Sequence, residues 1–448
     1  MNYNYYNENY DDNEEYDDND KYNNNENYDE YDNNEEHEND YYNNDNNYRY
    51  YYYNYPNYYY NNYYNQYNNY ENYYNDYYNY SNPYEDMYNY YKMFSKETKD
   101  KEEQIGPDIE KPSNDFHSLL QYKYILDENP ENIYKYANGF QSLSKPDGIL
   151  LDFSDSIDGS SDSYVIQISS SQEFDSSYTK IIKNLTEKKY ILQNLKLGQT
   201  IYYRGATEEN KLSSSKIYNI TVNNLPPRNL DIPGVDNARD LGGYKTKLVE
   251  NGIINQGLFY RTANIDYIKK EGKKILLEDL GIKIEIDLRE AIWNTRTPFL
   301  GEIEYYAIPM SISIWNKEMR FDEFDEIYKK VYHLISEADK KPILLHCIAG
   351  ADRTGIMSFS LLALLGCEYK DIAKDYLFTN FGYQGYRELD TEFKMWWRKL
   401  QNFEGKTTAE KCKNWLMTKG IEESTIEHIR AIFIDGYKEN ISLDNKKE

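Results

Sequence analysis

The sequence predicts a C-terminal α/β domain, preceded by a small β-sandwich and a long disordered tail. Apolar patterns typical of strands and helices alternate through residues 225–448, as in α/β domains. Short period-two runs between Ser, Asp and Gly clusters occupy residues 144–223, which indicates a sandwich. Residues 1–92 contain almost no aliphatic side chain. That segment cannot bury enough apolar surface to offset the entropy cost of ordering, so we expect disorder.

The N-terminal tail consists mainly of Asn, Tyr, Asp and Glu. It holds 32 of the 54 tyrosines and most of the net charge of −26. Such polar–aromatic sequences tend toward weak self-association. The tail is therefore a solvating segment, an assembly segment, or a set of tyrosines that become substrates once phosphorylated. Residues 93–143 follow as a charged connector with room for one short helix.

The predicted sandwich contains five strands, at 149–153, 164–168, 190–192, 201–205 and 216–222. Residues 195–204 resemble a fibronectin type III strand with the corner that precedes it. Ile201 stands where that family usually has tyrosine, and Leu197 where it usually has proline. The resemblance implies a module that places or docks a neighbouring domain.

The α/β domain should contain buried strands and amphipathic helices. Strands are expected at 253–261, 282–288, 304–309 and 343–345. Helices are expected at 321–338, 356–365, 371–379, 389–400, 407–417 and 424–437.

The ten residues 346–355 connect the last of these strands to a buried helix. A tight loop at a helix N-terminus turns backbone N–H groups toward an anion such as phosphate. Gly350 permits the turn, and the Arg353 fork can clamp two phosphate oxygens. The same positive field stabilises a thiolate, so Cys347 is the candidate nucleophile. The predicted phosphate-binding loop comprises Ile348, Ala349, Gly350, Ala351, Asp352 and Arg353.

Two residues that flank the loop have predicted supporting roles. His346 lies directly before the cysteine and can orient it from beneath the loop. Thr354 opens the helix, where its hydroxyl can hydrogen-bond the sulfur and make it a better leaving group.

Several other functions are disfavoured by composition. The chain has no basic tract that would follow a nucleic-acid backbone. Its three cysteines and five histidines are scattered, so we expect no disulfide framework and no metal site. The N-terminus has no signal-peptide pattern, and the longest apolar run, 356–367, is too short to span a membrane. We therefore expect a soluble, cytoplasmic protein.

Residues 346–355 resemble the signature loop of cysteine-dependent protein-tyrosine phosphatases. Together with Asn-Ala-Arg-Asp-Leu-Gly-Gly-Tyr at 237–244 and Asp-Leu-Arg at 287–289, they resemble the bacterial-type branch called tyrosine/serine protein phosphatases. The resemblance covers about 225–448 and implies the protein-tyrosine phosphatase fold, a central mixed sheet flanked by helices. It also implies two-step hydrolysis through a cysteinyl-phosphate, without metal or cofactor.

The resemblance further implies roles for individual residues. In this branch the general acid is the aspartate inside the loop, here Asp352, and Asp287 is the second candidate. Motif positions expected to brace or line the site are occupied by Arg239, Asp240, Arg261 and Arg289.

The substrate class is suggested by one departure from the branch pattern. Branch members often carry lysine at the position of Ala351, which suits a second phosphate, as in phosphoinositides. Its absence favours phosphotyrosine in proteins. Two alternatives stay open: a dual-specificity or phosphoinositide phosphatase, and a phosphoprotein-binding scaffold assembled by its tail. A pure binder needs no nucleophile, which favours the enzyme.

Overall fold

The computed structural model describes residues 109–290, 301, 303–310, 324–382 and 385–438. The tail at 1–92, for which we predict disorder, lies outside the described residues, as does the first part of the connector. Residues 321–323 of one predicted helix lie outside them too.

Most of the expected strands are present, some shorter and some longer than expected. They are β1 (Ile149–Asp152), β2 (Tyr164–Ser169), β3 (Thr179–Leu185), β4 (Lys189–Leu192), β5 (Thr200–Ala206), β6 (Tyr218–Thr221), β7 (Arg228–Asn229), β8 (Arg239–Asp240), β9 (Phe259–Thr262), β10 (Ile284–Asp287), β11 (Glu304–Ala307) and β12 (Ile343–His346). The run 253–261 is a strand only from Phe259 onward. Its first residues instead form isolated bridges to Lys245 and Ile434.

The described helices are α1 (Leu119–Leu126), α2 (Lys270–Lys274), α3 (Asp325–Ser336), α4 (Arg353–Leu364), α5 (Tyr369–Phe378), α6 (Lys394–Gln401), α7 (Thr408–Thr418) and α8 (Glu423–Phe433). Helix α2 was not expected from the sequence. The expected helix at 389–400 is a π-helical turn, Leu389–Phe393, followed by α6. In the described part of the chain, no helix has the length and apolar character needed to cross a membrane.

The connector contains the expected short helix. Ser118 and Gln121 form a reciprocal capping box at the start of α1, which satisfies two backbone donors. Tyr124 and Ile133 are buried in the same core as the α/β domain, whereas Phe116 packs in the core of residues 149–222. The second half of the connector is therefore an integral part of the folded body.

Residues 149–221 form two antiparallel sheets, β3-β2-β5-β6 and β1-β4. Side chains from both sheets, among them Leu151, Ile166 and Ile201, share one core. Strand β3 was not predicted, because it lies at a sheet edge and its side chains are exposed or half-buried, so it lacks a clear apolar alternation. The fibronectin type III likeness stays a prediction.

The larger sheet has the order β11-β10-β12-β9-β8-β7. Strands β9 to β12 pair in parallel, and the two-residue strands β7 and β8 add an antiparallel edge. Leu345 contacts the core that contains α3 to α8, whereas Leu344 points to a smaller core with Leu276. The sheet is thus mixed and covered on both faces, as the sequence predicts, and its carboxyl edge remains for a site.

Candidate active site

The candidate loop begins where three parallel strands end at the same level. His346, the last residue of β12, is in register with Thr262 of β9 and with Asp287 of β10. The carboxyl edge of the sheet therefore brings together three segments that are far apart in sequence. This edge is where ligands usually bind in α/β sheets.

The loop wraps closely around the cysteine. Cys347 is buried, and the N–H of Gly350 donates to its Sγ at 3.2 Å. Gly350 has φ +65°, and a Cβ on it would lie 2.3 Å from the Thr262 carbonyl oxygen. Only glycine fits that position without moving the strand end. Asp352 then caps the buried helix α4.

The carbonyls of Ile348, Ala349 and Gly350 are hydrogen-bonded by neighbouring segments. Asn264 donates its N–H (2.9 Å) and its Nδ2 (3.1 Å) to the Ile348 carbonyl. Asn237 Nδ2 donates to the carbonyls of Ala349 (3.1 Å) and Gly350 (3.3 Å). In a trans peptide the N–H points opposite to the C=O. These contacts therefore direct the following N–H groups toward the cysteine side of the loop, where an oxyanion would be held.

A buried pair of arginines supports the loop on the side of its hydrogen-bonded carbonyls. Arg261 Nη2 also donates to the Gly350 carbonyl at 2.5 Å, and its Nη1 donates to Asp375 Oδ2 at 2.6 Å. Arg239 Nε donates to Asp375 Oδ1 at 2.8 Å, and its Nη1 donates to the side chain of Asn237. Burial and the charge of Arg239 lower the pKa of Arg261 to about 10, so it remains cationic at neutral pH.

The histidine before the cysteine lies between two carboxylates. His346 Nε2 is 3.0 Å from Glu285 Oε1, its Nδ1 is 3.9 Å from Asp287 Oδ1, and the same nitrogen is 3.4 Å from the Cys347 carbonyl. Burial opposes the charged imidazole. The charge of Asp287 and the hydrogen bond that His346 donates to Glu285 outweigh it and raise the pKa of His346 to about 9. The ring is therefore cationic at neutral pH and directly beneath the cysteine.

The Asp287 carboxylate already accepts hydrogen bonds from several donors. It is buried, and it accepts bonds from the Arg289 guanidinium (2.7–3.0 Å), the Arg289 N–H (2.9 Å) and the Tyr305 hydroxyl (3.1 Å). Burial alone would favour the neutral acid. The cations His346 and Arg289 nevertheless hold the pKa of Asp287 below its ordinary value. A carboxylate in this state is a poor proton donor.

Asp352 has a different environment. Its side chain is about one-quarter exposed (23%) and is paired with Arg387. Arg387 Nε donates to Oδ1 at 2.9 Å and Nη2 to Oδ2 at 3.1 Å. Asp352 is therefore the more exposed of the two candidate carboxylates.

The remaining loop residues differ in how far they match expectation. The Arg353 guanidinium is buried and donates to the Leu288 carbonyl at 3.4 Å. Thr354 Oγ1 is buried without a hydrogen-bond partner among the described residues, so the expected bond to the sulfur is not formed. Ala351 is fully buried, and its side chain does not reach the pocket rim.

The bracing residues divide into two groups. Arg261 hydrogen-bonds the Gly350 carbonyl, Arg239 pairs with Asp375, and Arg289 pairs with Asp287. Their supporting roles stay a prediction. Asp240 is placed differently from our expectation. Its carboxylate accepts from Arg228 (2.8 Å) and from the N–H groups of Gly242 (2.8 Å) and Gly257 (2.6 Å). It therefore stabilises the β7–β8 edge and the adjoining turns.

Sequence reasoning missed five residues of the site: Asn237, Asn264, Glu285, Asp375 and Arg387. Glu285 and Asp375 did carry a signal, since each is an acidic residue inside an otherwise apolar strand or helix face. Among the described residues, no group of three or more His, Cys, Asp or Glu side chains could hold a metal ion.

Comparison with known proteins agrees with this geometry. Residues 230–437 match the model of the tyrosine phosphatase family. A protein of Cupriavidus necator named as a tyrosine-protein phosphatase is 26% identical over 171 residues, which are 33% of this chain and 61% of that protein. A tyrosine-protein phosphatase of Nostoc commune is 29% identical over 138 residues, which are 26% of this chain and 47% of that protein. These matches support the tyrosine phosphatase family for this part of the chain.

The chain spans only 47–61% of the length of these two relatives. Matches among solved structures include the core catalytic domain of the PP-IP phosphatase SIW14 from S. cerevisiae. Its sequence identity is 22%, the match covers 32% of this chain and 84% of that chain, and the TM-score is 0.25. TpbA from P. aeruginosa matches at 14% identity, 42% of this chain, 94% of that chain and a TM-score of 0.22.

Replacing Asp375 with Asn should destabilise the protein by about 3–5 kcal/mol, because it leaves two buried arginines without their counter-charge. Urea unfolding of wild type and Asp375→Asn measures this. Asp371→Asn, on the same helix but half-buried, is the matched control and should cost far less. Equal stability of the two variants would contradict the bracing role of Asp375.

The charge of His346 should make stability depend on pH. Its pKa lies above the ordinary value of about 6.5, so its stabilisation is fully present below that pH and is lost as pH rises through about 9. Lys341 and Lys374, whose pKa burial lowers to about 8, act with the opposite sign. The informative quantity is therefore the difference between wild type and His346→Asn. That difference should shrink by a few kcal/mol between neutral and alkaline pH, and a constant difference would refute the charged state.

Proposed function

We propose that residues 225–448 hydrolyse phosphomonoesters through a cysteinyl-phosphate intermediate, and that phosphotyrosine in proteins is the substrate. One observation carries the proposal. The carbonyls of the loop are hydrogen-bonded away from Cys347, while the Gly350 N–H points to its sulfur. Backbone N–H donors that face a cysteine suit a phosphoryl group.

In the first proposed step, the Cys347 thiolate attacks phosphorus in line with the ester oxygen. The S–P bond forms as the P–O bond breaks, and the electron pair of that bond goes to the leaving oxygen. Backbone N–H groups and the Arg353 guanidinium hold the equatorial oxygens as charge develops on them. The leaving oxygen takes a proton from the carboxylic acid of Asp352.

In the second proposed step, water attacks the cysteinyl-phosphate. The Asp352 carboxylate left by the first step accepts the proton from that water. The S–P bond breaks, inorganic phosphate leaves, and the thiolate is regenerated beside the cationic His346. Thiolate, arginine, N–H groups and carboxylate between them supply each role, so the proposed reaction is independent of metal.

Asp352 is a better candidate for the general acid than Asp287. The Asp287 carboxylate is buried, accepts from two partner side chains, and has a lowered pKa. The Asp352 side chain is partly exposed at the start of α4. Each carboxylate is paired with an arginine, Asp287 with Arg289 and Asp352 with Arg387, so the ion pair does not distinguish them. The greater exposure of Asp352 and its place in the loop favour it as the proton donor.

Three arguments favour a protein phosphotyrosine substrate. Cys347 is only 2% exposed, so an ester with a long, flat leaving group reaches it more easily than a short one. Ile348, beside it, is partly exposed at 36% and offers an apolar contact to an aromatic ring. Ala351 brings no cation for a second phosphate. Dual-specificity or phosphoinositide activity is the second candidate, and a phosphoprotein-binding scaffold is the third.

Wild-type protein should hydrolyse p-nitrophenyl phosphate in the presence of a chelator, and Cys347→Ser should reduce kcat by several orders of magnitude. The measurement is the initial rate of p-nitrophenolate release. Arg398→Gln, a change at an exposed position of α6, serves as the control and should keep full activity. Unchanged turnover in Cys347→Ser would refute the cysteinyl-phosphate mechanism.

A substrate panel tests the proposed specificity. Phosphotyrosyl peptides should give kcat/KM at least roughly tenfold above phosphoseryl peptides and above a phosphoinositide in mixed micelles, since the nucleophile is recessed and Ala351 adds no charge. Phosphate release is measured for all three classes with one enzyme preparation. Faster turnover of the phosphoinositide would replace this proposal with the second candidate.

A further inference from the structure

The loop aspartate is not held by its own helix. Asp352 caps α4, but its side chain makes no capping hydrogen bond to that helix. Its carboxylate is instead gripped on both oxygens by Arg387, at 2.9 Å and 3.1 Å. A two-point fork of this kind fixes both the position and the plane of a carboxylate. The direction in which Asp352 offers a proton is therefore set by Arg387.

Arg387 is itself held in place by Asn380, at the end of α5. The Asn380 side chain accepts a hydrogen bond from the Arg387 N–H at 2.7 Å and donates one to the Arg387 carbonyl at 2.9 Å. Asn380 is buried at 1% exposure. The backbone of Arg387 is thus attached to the core of the domain rather than to a surface loop alone.

The segment before Arg387 is pinned a second time, by the connector. The Gly139 N–H donates to the Asn380 carbonyl at 2.8 Å, and the Gly385 N–H donates to the Gly139 carbonyl at 2.8 Å. A Cβ on Gly139 would lie 2.4 Å from the Gly385 carbonyl carbon. The backbones meet so closely that only glycine fits there. Both contacts restrict the position of the backbone from which the Arg387 side chain extends.

We propose that Arg387 is the positioning residue of the general acid Asp352, a role that rests on the proposed phosphatase function. In the first step, the proton leaves the Asp352 carboxylic acid for the ester oxygen, and a carboxylate is left facing the guanidinium. In the second step that carboxylate takes a proton from the attacking water. Arg387 exchanges no proton. It stabilises the carboxylate formed between the two steps and keeps it aligned for both.

This role predicts a specific kinetic signature. An ester with a poor leaving group, such as phenyl phosphate, depends strongly on protonation of the leaving oxygen. p-Nitrophenyl phosphate depends on it weakly, because p-nitrophenolate is a far weaker base. Loss of Arg387 should therefore lower kcat selectively for phenyl phosphate. A cation that only binds substrate would raise KM for both esters instead.

The experiment compares wild type, Arg387→Gln, Asp352→Asn and the double variant on both esters, using the full chain. In Arg387→Gln, kcat for phenyl phosphate should fall on the order of tenfold to a hundredfold, and kcat for p-nitrophenyl phosphate by less than about threefold. In the Asp352→Asn background, the same change should cause no further loss on phenyl phosphate. Arg387→Lys, which keeps the charge but not the fork, should lie between wild type and Arg387→Gln.

Controls separate this role from general damage. Thermal unfolding checks that each variant is folded, and Arg398→Gln, also a loss of one arginine, should leave both rates unchanged. Equal losses on the two esters, or additive losses in the double variant, would overturn the proposal for Arg387 while wild-type turnover stands. If wild type fails to hydrolyse p-nitrophenyl phosphate, or Cys347→Ser keeps its activity, the proposed function fails and this role fails with it.

Discussion

The Asp375 carboxylate pairs with two buried arginines, and the direction of the loop amides depends on that pairing. Asp375 holds Arg239 and Arg261 behind the loop. Arg261 and Asn237 in turn donate hydrogen bonds to the Gly350 carbonyl, which therefore points away from the cysteine. Since a trans peptide directs its N–H opposite to its C=O, holding the carbonyls is how the fold aims the amides. The proposed anion site would thus be ordered before a ligand binds.

Charges around the site are arranged in opposed pairs. Behind the loop two cations share Asp375, and beneath it His346 lies between Glu285 and Asp287. Buried ion pairs contribute little net stability, because desolvation offsets most of their attraction. In this site the ion pairs fix the orientation of the guanidinium and imidazole groups. These groups then surround the place where a thiolate and a phosphoryl group would lie. Asp352, paired with Arg387, is partly exposed, and it is the carboxylate that we propose transfers the proton.

The sequence predicted the elements whose signal is local. The strand 343–345, the helix after it and the Gly350 turn follow from an apolar run, a helical apolar stretch and a glycine. The mixed sheet and the supporting positions of Arg239, Arg261 and Arg289 came from a motif resemblance. Strand β3 and the two-residue strands β7 and β8 were missed, because edge and very short strands carry no clear alternation.

The missed site residues share a different cause. Asn264 and Arg387 contact the loop directly, and Asp375 is linked to it through Arg261, so only the tertiary fold brings these three segments together. No spacing rule connects them. The same reason explains Asp240, whose motif neighbours lie behind the loop while its own carboxylate faces Arg228. A motif shows which residues occur together in the sequence. The role of each residue depends on the direction in which its side chain points.

The central claim, that Cys347 carries the phosphoryl group, is tested most directly by rapid-quench mass spectrometry during turnover of p-nitrophenyl phosphate. Wild type, and more strongly Asp352→Asn, should show a mass increase of one phosphoryl group on the peptide that contains Cys347. The slower hydrolysis expected without the Asp352 carboxylate should allow the intermediate to accumulate. A phosphoryl group on another residue, or turnover with no covalent adduct in either protein, would contradict the account.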